Sequence, residues 1–361
     1  MNILIIYGGK SCEHDISIIT ACLARGYFEG NLYSAYLDKD NRCYLVPNDF
    51  TPKKHVETKF NKTVVFKLGE GAISVVRGKR VIKTIKIDVA VNCCHGVNGE
   101  DGCIAALTQL AGIPLVGSDV ASSAIAMDKA TTKRVLNSFK IPTVKGKELT
   151  KDELPELKKR ISGLTFPLIA KPCKLGSSIG VELCKSYEEL EAALERAFKL
   201  DYKVLVEQAL TDFTELNCAA MRVNGEVKLS VIDQPLTTHD ILTFADKYVE
   251  NAAFEKKPAP LNEKVASEVS RLTTEIYEKL NFAGVIRVDY LLDNATGKLY
   301  VNEINTTPGS LAYGLWEMKF SRTAYGEALV EQAIADYRQL QSFTYTFDSG
   351  VLSGGSGIKK K

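Results

Sequence analysis

The chain is poor in several things, and each shortage removes a class of function. No apolar run approaches the roughly 20 residues that a membrane-spanning helix needs, so no membrane partner is expected. The formal net charge is only +2, which gives no electrostatic footprint for nucleic acid. Histidine is scarce: four residues leave little scope for a His-based metal site. The nine cysteines are odd in number and lack metal-type spacing. Cys93 and Cys94 are adjacent, inside an apolar run. They read as small buried hydrophobes in a reducing cytoplasm rather than a disulfide framework. The opening MNILIIYGGK has neither a basic segment nor a small-residue cleavage site, so it reads as a first strand and not a signal peptide. What is present is ordinary for a globular protein. The chain is 45% hydrophobic and 25% charged, and its 361 residues suffice for two or three lobes with a large core.

The chain opens as an α/β unit. Asn2 to Tyr7 predicts a strand, Gly8-Gly9-Lys10-Ser11 a glycine turn with Ser11 as N-cap, and Glu13 to Arg25 a helix. Such a helix points its N-terminus at whatever binds above the sheet. Glu13 lies in its first turn, where it either complements the helix dipole or holds a substrate ammonium. Leu32 to Lys86 reads as a β-meander without evident chemistry. Ile87 to Cys94 predicts a buried strand that runs into His95-Gly96-Val97-Asn98-Gly99-Glu100-Asp101-Gly102, a loop at the position where open α/β sheets bind ligands. Helices are predicted over Ile104 to Ala111 and Ser122 to Asn137.

Further on, Lys151 to Arg160 predicts a charged helix. Phe166 to Pro172 predicts a strand with Lys171 near its end. It leads into Cys173-Lys174-Leu175-Gly176-Ser177-Ser178-Ile179-Gly180. Small side chains and free N–H groups let such a loop close over phosphates, although it is neither a P-loop nor a dinucleotide fingerprint. Tyr187 to Phe198 is an amphipathic helix and Lys203 to Glu207 a strand. Leu216 to Arg222 and Val227 to Ile232 are strand-like. The polar stretch Pro235 to Ala259 is long for a connection, at about 25 residues, which hints at a functional loop. Val265, Val269, Leu272, Ile276 and Leu280 form a core stripe on the helix Glu263 to Leu280. A last helix spans Tyr325 to Leu340.

The organising stretch is Gly284 to Gly309. Val285 to Leu292 and Lys298 to Ile304 are β-rich, and Asp293-Asn294-Ala295-Thr296-Gly297 is turn chemistry. Strand alternation puts Arg287 and Asp289 on one face, and Glu303 and Asn305 on one face. A pivot near Ala295 would set Arg287 opposite Glu303, with Asp289 diagonal to it. Two carboxylates, an amide and a guanidinium then share a surface. That set is either a cross-strand salt bridge or an oxygen-only site for a hard cation such as Mg²⁺, completed by phosphate oxygens.

Read together, the blocks YGGKSCEHDIS, HGVNGEDG, PLVGSDVASSAIAMDKATTK, FPLIAKPCKLGSSIGV, KVLVEQ, DKY and VIRVDYLL…YVNEINTTPG resemble, in order, those of D-alanine–D-alanine ligases of the ATP-grasp superfamily. The resemblance covers nearly the whole chain except the meander near residues 35–86 and the tail. It implies an α/β fold: an N-terminal Rossmann-like parallel-sheet domain over residues 1–118, a central ATP-grasp lobe over 119–208 and a C-terminal lobe with the metal site over 209–345. The Gly/Ser-rich basic tail, 346–361, is expected to be disordered. The implied activity joins two D-amino acids with ATP through an acyl phosphate, for peptidoglycan synthesis. The implied partners are small amino acids, within a cytoplasmic homodimer.

The resemblance also implies roles. Asp289, Glu303 and Asn305 would hold two Mg²⁺ ions (or Mn²⁺), with Glu303 bridging. Lys129 and Lys171 would reach the ATP phosphates. Gly176 and Ser178 would lie in the covering loop, Glu207 at the adenosine end, and Glu215 and Lys247 on the nucleotide side. Glu13 would bind the first ammonium, with His95 near the carboxylate. Ser177 and Tyr248 would join Glu13 in one hydrogen-bonded set. Arg287 and the N–H of Gly309 would form an oxyanion hole. The chain departs from the family pattern at the acceptor end. Relatives carry a Ser-Leu pair whose Ser contacts the second substrate, whereas Gly314-Leu315 stands here. Leu242 and Phe244 stand where relatives often have Tyr. D-alanine is the expected acceptor. A sister specificity such as D-serine is the alternative, and a non-catalytic nucleotide-binding regulator a more distant one. Tyr248 speaks against D-lactate.

Overall fold

The computed structural model describes residues 1–47, 49–235, 255–344 and 346–347. Three sheets organise them. In the first, eight-stranded sheet the strands Asn31–Leu37, Asn2–Gly8, Val89–Asn92 and Leu115–Val116 run parallel in that order. Asn2–Gly8 is buried at every position after Asn2, as a parallel strand covered on both faces must be. The expected meander continues this sheet. Cys43–Val46, Thr63–Lys67, Ala72–Arg77 and Arg80–Lys86 add antiparallel, each beside its neighbour in sequence.

The second sheet is antiparallel, in the order Glu182–Cys184, Leu168–Pro172, Lys203–Gln208, Gly146–Thr150. The helix Tyr187–Ala197 buries Leu190, Ala193, Leu194 and Ala197, at helical spacing, against Leu168, Ala170, Val204 and Val206. Strand alternation therefore turns Lys171, Leu205 and Glu207 to the opposite face. The third sheet runs Glu255–Lys256, Glu226–Pro235, Phe213–Val223, Val285–Asp293, Leu299–Asn305, also antiparallel. The helix Glu263–Lys279 is capped by Asn262, whose side chain accepts the N–H of Val265 at 3.0 Å. It packs Val269, Leu272 and Ile276 on Leu216, Cys218, Ile286, Val288 and Tyr290. The alternate residues, Glu215, Asn217, Arg287 and Asp289, look the other way.

Three helices depart from expectation. The first begins at His14 and not at Glu13. Ser11 does not cap it: its hydroxyl accepts from the N–H of Glu13 at 3.0 Å, two residues on, and Glu13 takes the cap position with non-helical backbone. The single helix expected over Ser122 to Asn137 is two, Val120–Met127 and Lys129–Ser138, broken at Asp128. Asp128 leaves helical φ/ψ, and its carboxylate caps the second helix at the N–H of Thr131, 2.9 Å away. The charged segment near Pro155 is a 3₁₀ turn, Lys151–Glu156, before the short helix Leu157–Arg160, since proline removes a helical donor. The last helix, Arg322–Gln341, packs Leu329, Val330 and Ala333 into the core beneath Ile3, Ile5 and Val91 of the first sheet.

Candidate active site

The hairpin forms, but its register differs from the expected one. Arg287 lies opposite Asn305, and Asp289 lies opposite Glu303. The turn itself is as read: Asp293 Oδ1 accepts the N–H of Ala295 at 3.0 Å, and Gly297 closes onto the Asp293 carbonyl at 2.8 Å. One residue of the shift arises at the turn, since Leu292 already lies opposite Leu299, and a second comes from a bulge. Tyr290 pairs with Val301, while the next residue, Asp289, pairs with Glu303, so Asn302 is one residue in excess. The carboxylates thereby face each other directly rather than diagonally.

Buried Asp289 is held on several sides. Arg287 donates to its two oxygens at 2.6 and 2.8 Å. Asn305 Nδ2 donates to Oδ2 at 3.0 Å. The Asn217 amide donates to Oδ1 at 3.1 Å, with its oxygen and nitrogen placed to satisfy both neighbours. Glu303 meets Lys129 at 3.3 Å. Burial pulls the Lys129 ammonium down, but the Glu303 charge outweighs it and holds the group above its ordinary value. The donor set is all oxygen, which suits a hard cation. Among the described residues no group of three or more His, Cys, Asp or Glu could hold a metal alone. Phosphate oxygens would have to complete any such shell, as Mg²⁺ in nucleotide sites requires.

Lysines from the second sheet and from the broken helix face these carboxylates. Lys171 Nζ donates to Asn302 Oδ1 at 3.3 Å, so the bulged residue ties the two sheets. Lys129 opens its helix because of the break at Asp128; its N–H bonds the Cys173 carbonyl at 3.0 Å and its Nζ the Leu175 carbonyl at 2.7 Å. Glu207 is buried between Lys133 and Lys171 and pairs with both. Burial alone would raise its carboxyl; the two ammonium groups, Lys133 foremost, hold it below the carboxylate range. Burial, against the attraction of Glu207, leaves Lys133 below its ordinary value. Two cations and one anion leave a surplus of one positive charge in a buried place, which an anion would neutralise.

Buried Glu13 marks the other end. The Ser177 hydroxyl donates to its Oε1. Two loops crowd this carboxylate, and both do so with glycine. A Cβ at Gly176 would stand 2.7 Å from Glu13 Oε2, and one at Gly96 would stand 2.8 Å from it. Ser177 and Ser178 both take the left-handed conformation, at φ 51° and 57°, which turns the loop over. Glu100 lies between the two ends. Its oxygens accept the N–H of Gly96 at 2.8 Å and of Thr307 at 3.1 Å. Burial, then the charge of Glu13, push its carboxyl up to about 8. Glu100 and Glu303 line one small pocket together with Lys129, Gly176 and Asn305.

After Pro308 the chain makes a left-handed turn. Ser310, Leu311 and Ala312 have φ of 51°, 52° and 56°, each disfavoured for an L-residue by about 1–2 kcal/mol. The turn is pinned from outside. Tyr27 Oη donates to the Ser310 carbonyl at 3.3 Å, Tyr325 Oη to the Leu311 carbonyl at 2.6 Å, and the Ser310 N–H to Thr20 Oγ1 at 3.3 Å. Gly309 precedes it, and a Cβ there would meet nothing among the described residues within 4 Å. His95 is buried with Nε2 2.8 Å from Thr20 Oγ1. Burial, then the Arg287 charge, lower its pKa to about 4, so it is neutral at neutral pH.

The remaining candidates divide. Glu215 pairs with Leu291 on the strand beside Asp289 and shares that face. Gly314 receives Lys257, whose Nζ donates to its carbonyl at 2.7 Å and pairs with Glu317 at 2.8 Å. Leu315 is buried in the core beside Trp316. Lys247, Tyr248, Leu242, Phe244 and nearly all of the tail lie outside the described residues. Sequence reasoning missed Asn302, Asn217, Glu100 and Thr20. A bulge leaves no periodicity signal, and single amides and hydroxyls in apolar strands and helices carry none either. Glu100 sat in plain view in a flagged loop.

Two antiparallel sheets that meet through Lys171 and Asn302, with Lys129 paired to Glu303 beside them, define an ATP-grasp architecture. The chain belongs to the D-alanine–D-alanine ligase family. Residues 2–118 match the model of the D-ala D-ala ligase N-terminus and residues 135–334 that of the D-ala D-ala ligase C-terminus. A D-alanine–D-alanine ligase of Thermosipho africanus is 34% identical, over 98% of each chain. One of Campylobacter lari is 33% identical, over 87% of this chain and 88% of its own. Among solved structures, the D-alanine-D-alanine ligase of Coxiella burnetii superposes with a TM-score of 0.79 at 26% identity, covering 94% of this chain and 96% of its own. A D-Ala:D-Ser ligase of Enterococcus faecalis does so with 0.79 at 25%, covering 92% and 99%. The chain is accordingly a ligase.

Proposed function

We propose that this ligase joins D-alanine to a second D-amino acid, D-alanine itself, with ATP and Mg²⁺, to supply peptidoglycan synthesis. One observation carries the reading: Asp289 and Glu303 face each other on the sheet that Lys129 and Lys171 reach from across the cleft. Mg²⁺, when bound, would neutralise the β- and γ-phosphates at Asp289, Glu303 and Asn305. Lys129 and Lys171 take the phosphate oxygens, and the surplus charge beside Glu207 favours that anion. Glu13 holds the first substrate's ammonium. The carboxylate of that first substrate takes the γ-phosphoryl group, leaving ADP and an acyl phosphate. The second amine, as its free base, attacks the acyl carbon, and its proton passes to the phosphate that departs. Arg287 and the Gly309 N–H stabilise the oxyanion, and phosphate departs. The loop Gly176–Gly180 excludes water from the acyl phosphate. Phosphate release in the presence of ATP, Mg²⁺ and D-alanine tests this.

D-serine as acceptor is the second reading: Gly314 offers the acceptor no side-chain hydroxyl, and the D-Ala:D-Ser ligase of Enterococcus faecalis shares the fold at a TM-score of 0.79. Release with D-serine but not D-alanine would select it. Nine free thiols, five of them buried, fit a reducing compartment, which supports a cytoplasmic place. We also infer a homodimer from the family resemblance, for sedimentation to test.

A further inference from the structure

We propose that Thr20 is a positioning residue that holds His95 as its Nδ1–H tautomer, so that the imidazole presents a proton and not a lone pair to the carboxylate of the first amino acid. The second half rests on the ligase reading above; the first half does not.

The backbone N–H of Ser310 can only donate, and it points at Thr20 Oγ1 from 3.3 Å. That oxygen therefore accepts. Its own hydrogen still needs an acceptor, because Thr20 is only 1% exposed. A threonine in a helix usually returns this hydrogen to a carbonyl one turn back. Thr20 makes no such bond among the described residues; its Oγ1 lies instead 2.8 Å from His95 Nε2. Were Nε2 protonated, Oγ1 would accept twice and the hydroxyl hydrogen would be buried with no partner. Nε2 therefore carries the lone pair. Burial and the neighbouring Arg287 keep a second proton off the ring at neutral pH. The single ring hydrogen is then on Nδ1, which has no hydrogen-bond partner among the described residues.

The same hydroxyl joins three separate parts of the site. Thr20 lies on the helix whose N-cap is Glu13. His95 lies on the loop that contributes Gly96 to the surround of Glu13. Ser310 begins the left-handed turn that follows Gly309. The N–H of the turn occupies the oxygen's acceptor side, which obliges the hydroxyl to donate to the ring. One side chain thus sets the histidine's tautomer and, with Tyr27 and Tyr325, pins the strained turn.

Long-range ¹⁵N–¹H spectra of the full chain decide the first half. The four histidines make the spectrum tractable, with His95→Gln giving the assignment. Wild type and Thr20→Ser should show His95 with hydrogen on Nδ1. Thr20→Val, which keeps the volume and removes the hydroxyl, should shift His95 to the Nε2–H form or a mixture. Hydrogen on Nε2 in the wild type, or an unchanged Nδ1–H form in Thr20→Val, overturns the proposal. Kinetics decide the second half. Thr20→Val should raise KM for the first amino acid roughly tenfold or more, leave KM for ATP in place, and be rescued by Thr20→Ser. A switched tautomer with an unchanged amino-acid KM contradicts the link to substrate. Failure of the wild type to release phosphate with any amino acid refutes the ligase reading instead, and the tautomer result stands apart from it.

Discussion

Asp289 stands directly across the hairpin from Glu303, because Asn302 is one residue more than the partner strand can pair. The bulge does two things at once. It aligns the two carboxylates, and it leaves Asn302 to meet Lys171 from the opposite sheet at 3.3 Å. Glu303→Gln keeps the shape and removes the charge that Lys129 and a cation share. Turnover should fall by more than roughly a hundredfold, the scale of losing one well-placed electrostatic contact in a water-excluded site. Steady-state phosphate release measures it. A non-catalytic nucleotide sensor would instead keep its output in this variant.

The glycines around Glu13 make a second, independent prediction. Gly176→Ala puts a methyl 2.7 Å from the Glu13 carboxylate, and Gly96→Ala puts one 2.8 Å from it and closer still to Ser11 Oγ, with φ +71° as an added strain. Both variants should raise KM for the first amino acid roughly tenfold or more, as misplacement of a charged anchor does. KM for ATP should move little. Equal effects on both substrates would mean that the loops fail as a whole rather than at Glu13.

Stability of the ligand-free protein should be bell-shaped in pH. The Glu100 carboxyl is raised from 4.5 to about 8. Its protonated form is favoured in the fold, so its contribution is complete below about 4.5 and lost as pH rises through about 8. His95 and His55 are lowered from 6.5 to about 4 by burial first. Their contribution is present above 6.5 and lost as pH falls toward 4. Thermal unfolding across this range should show a maximum between the two limbs, and Glu100→Gln should flatten the alkaline one. An alkaline limb unchanged in Glu100→Gln places its origin elsewhere.

Gly314→Ser tests the acceptor end. Among the described residues a Cβ there meets only Lys257 Nζ, at 3.8 Å, so the variant should fold normally. It should change the acceptor KM and preference while leaving ATP turnover with the first substrate intact. Competition between D-alanine and D-serine, read by mass spectrometry of the dipeptides, measures the shift.

Much of this was legible in the chain, for identifiable reasons. Long periodic stripes, such as Val269, Leu272 and Ile276, form the helix they predict because burial rewards that spacing. The hairpin turn followed from Asp293 and Gly297, whose chemistry is local. The register did not follow, since a bulge depends on what the strands pack against and not on their own alternation. Asp128 ended one helix and capped the next; a lone Asp inside a helical pattern looks the same whether it is solvated or a break. Thr20 and Asn217 act through partners more than 70 residues away in sequence, and no spacing rule reaches that far.

The central claim is that Asp289, Glu303 and the two facing lysines form an ATP site serving amide formation between D-amino acids. Phosphate release and product mass are best measured together, with ATP, Mg²⁺ and D-alanine, in wild type and in Glu303→Gln. The account predicts D-alanyl-D-alanine in step with phosphate from the wild type and almost none from the variant. Phosphate without dipeptide, with D-alanine or D-serine, or equal output from Glu303→Gln, would contradict it.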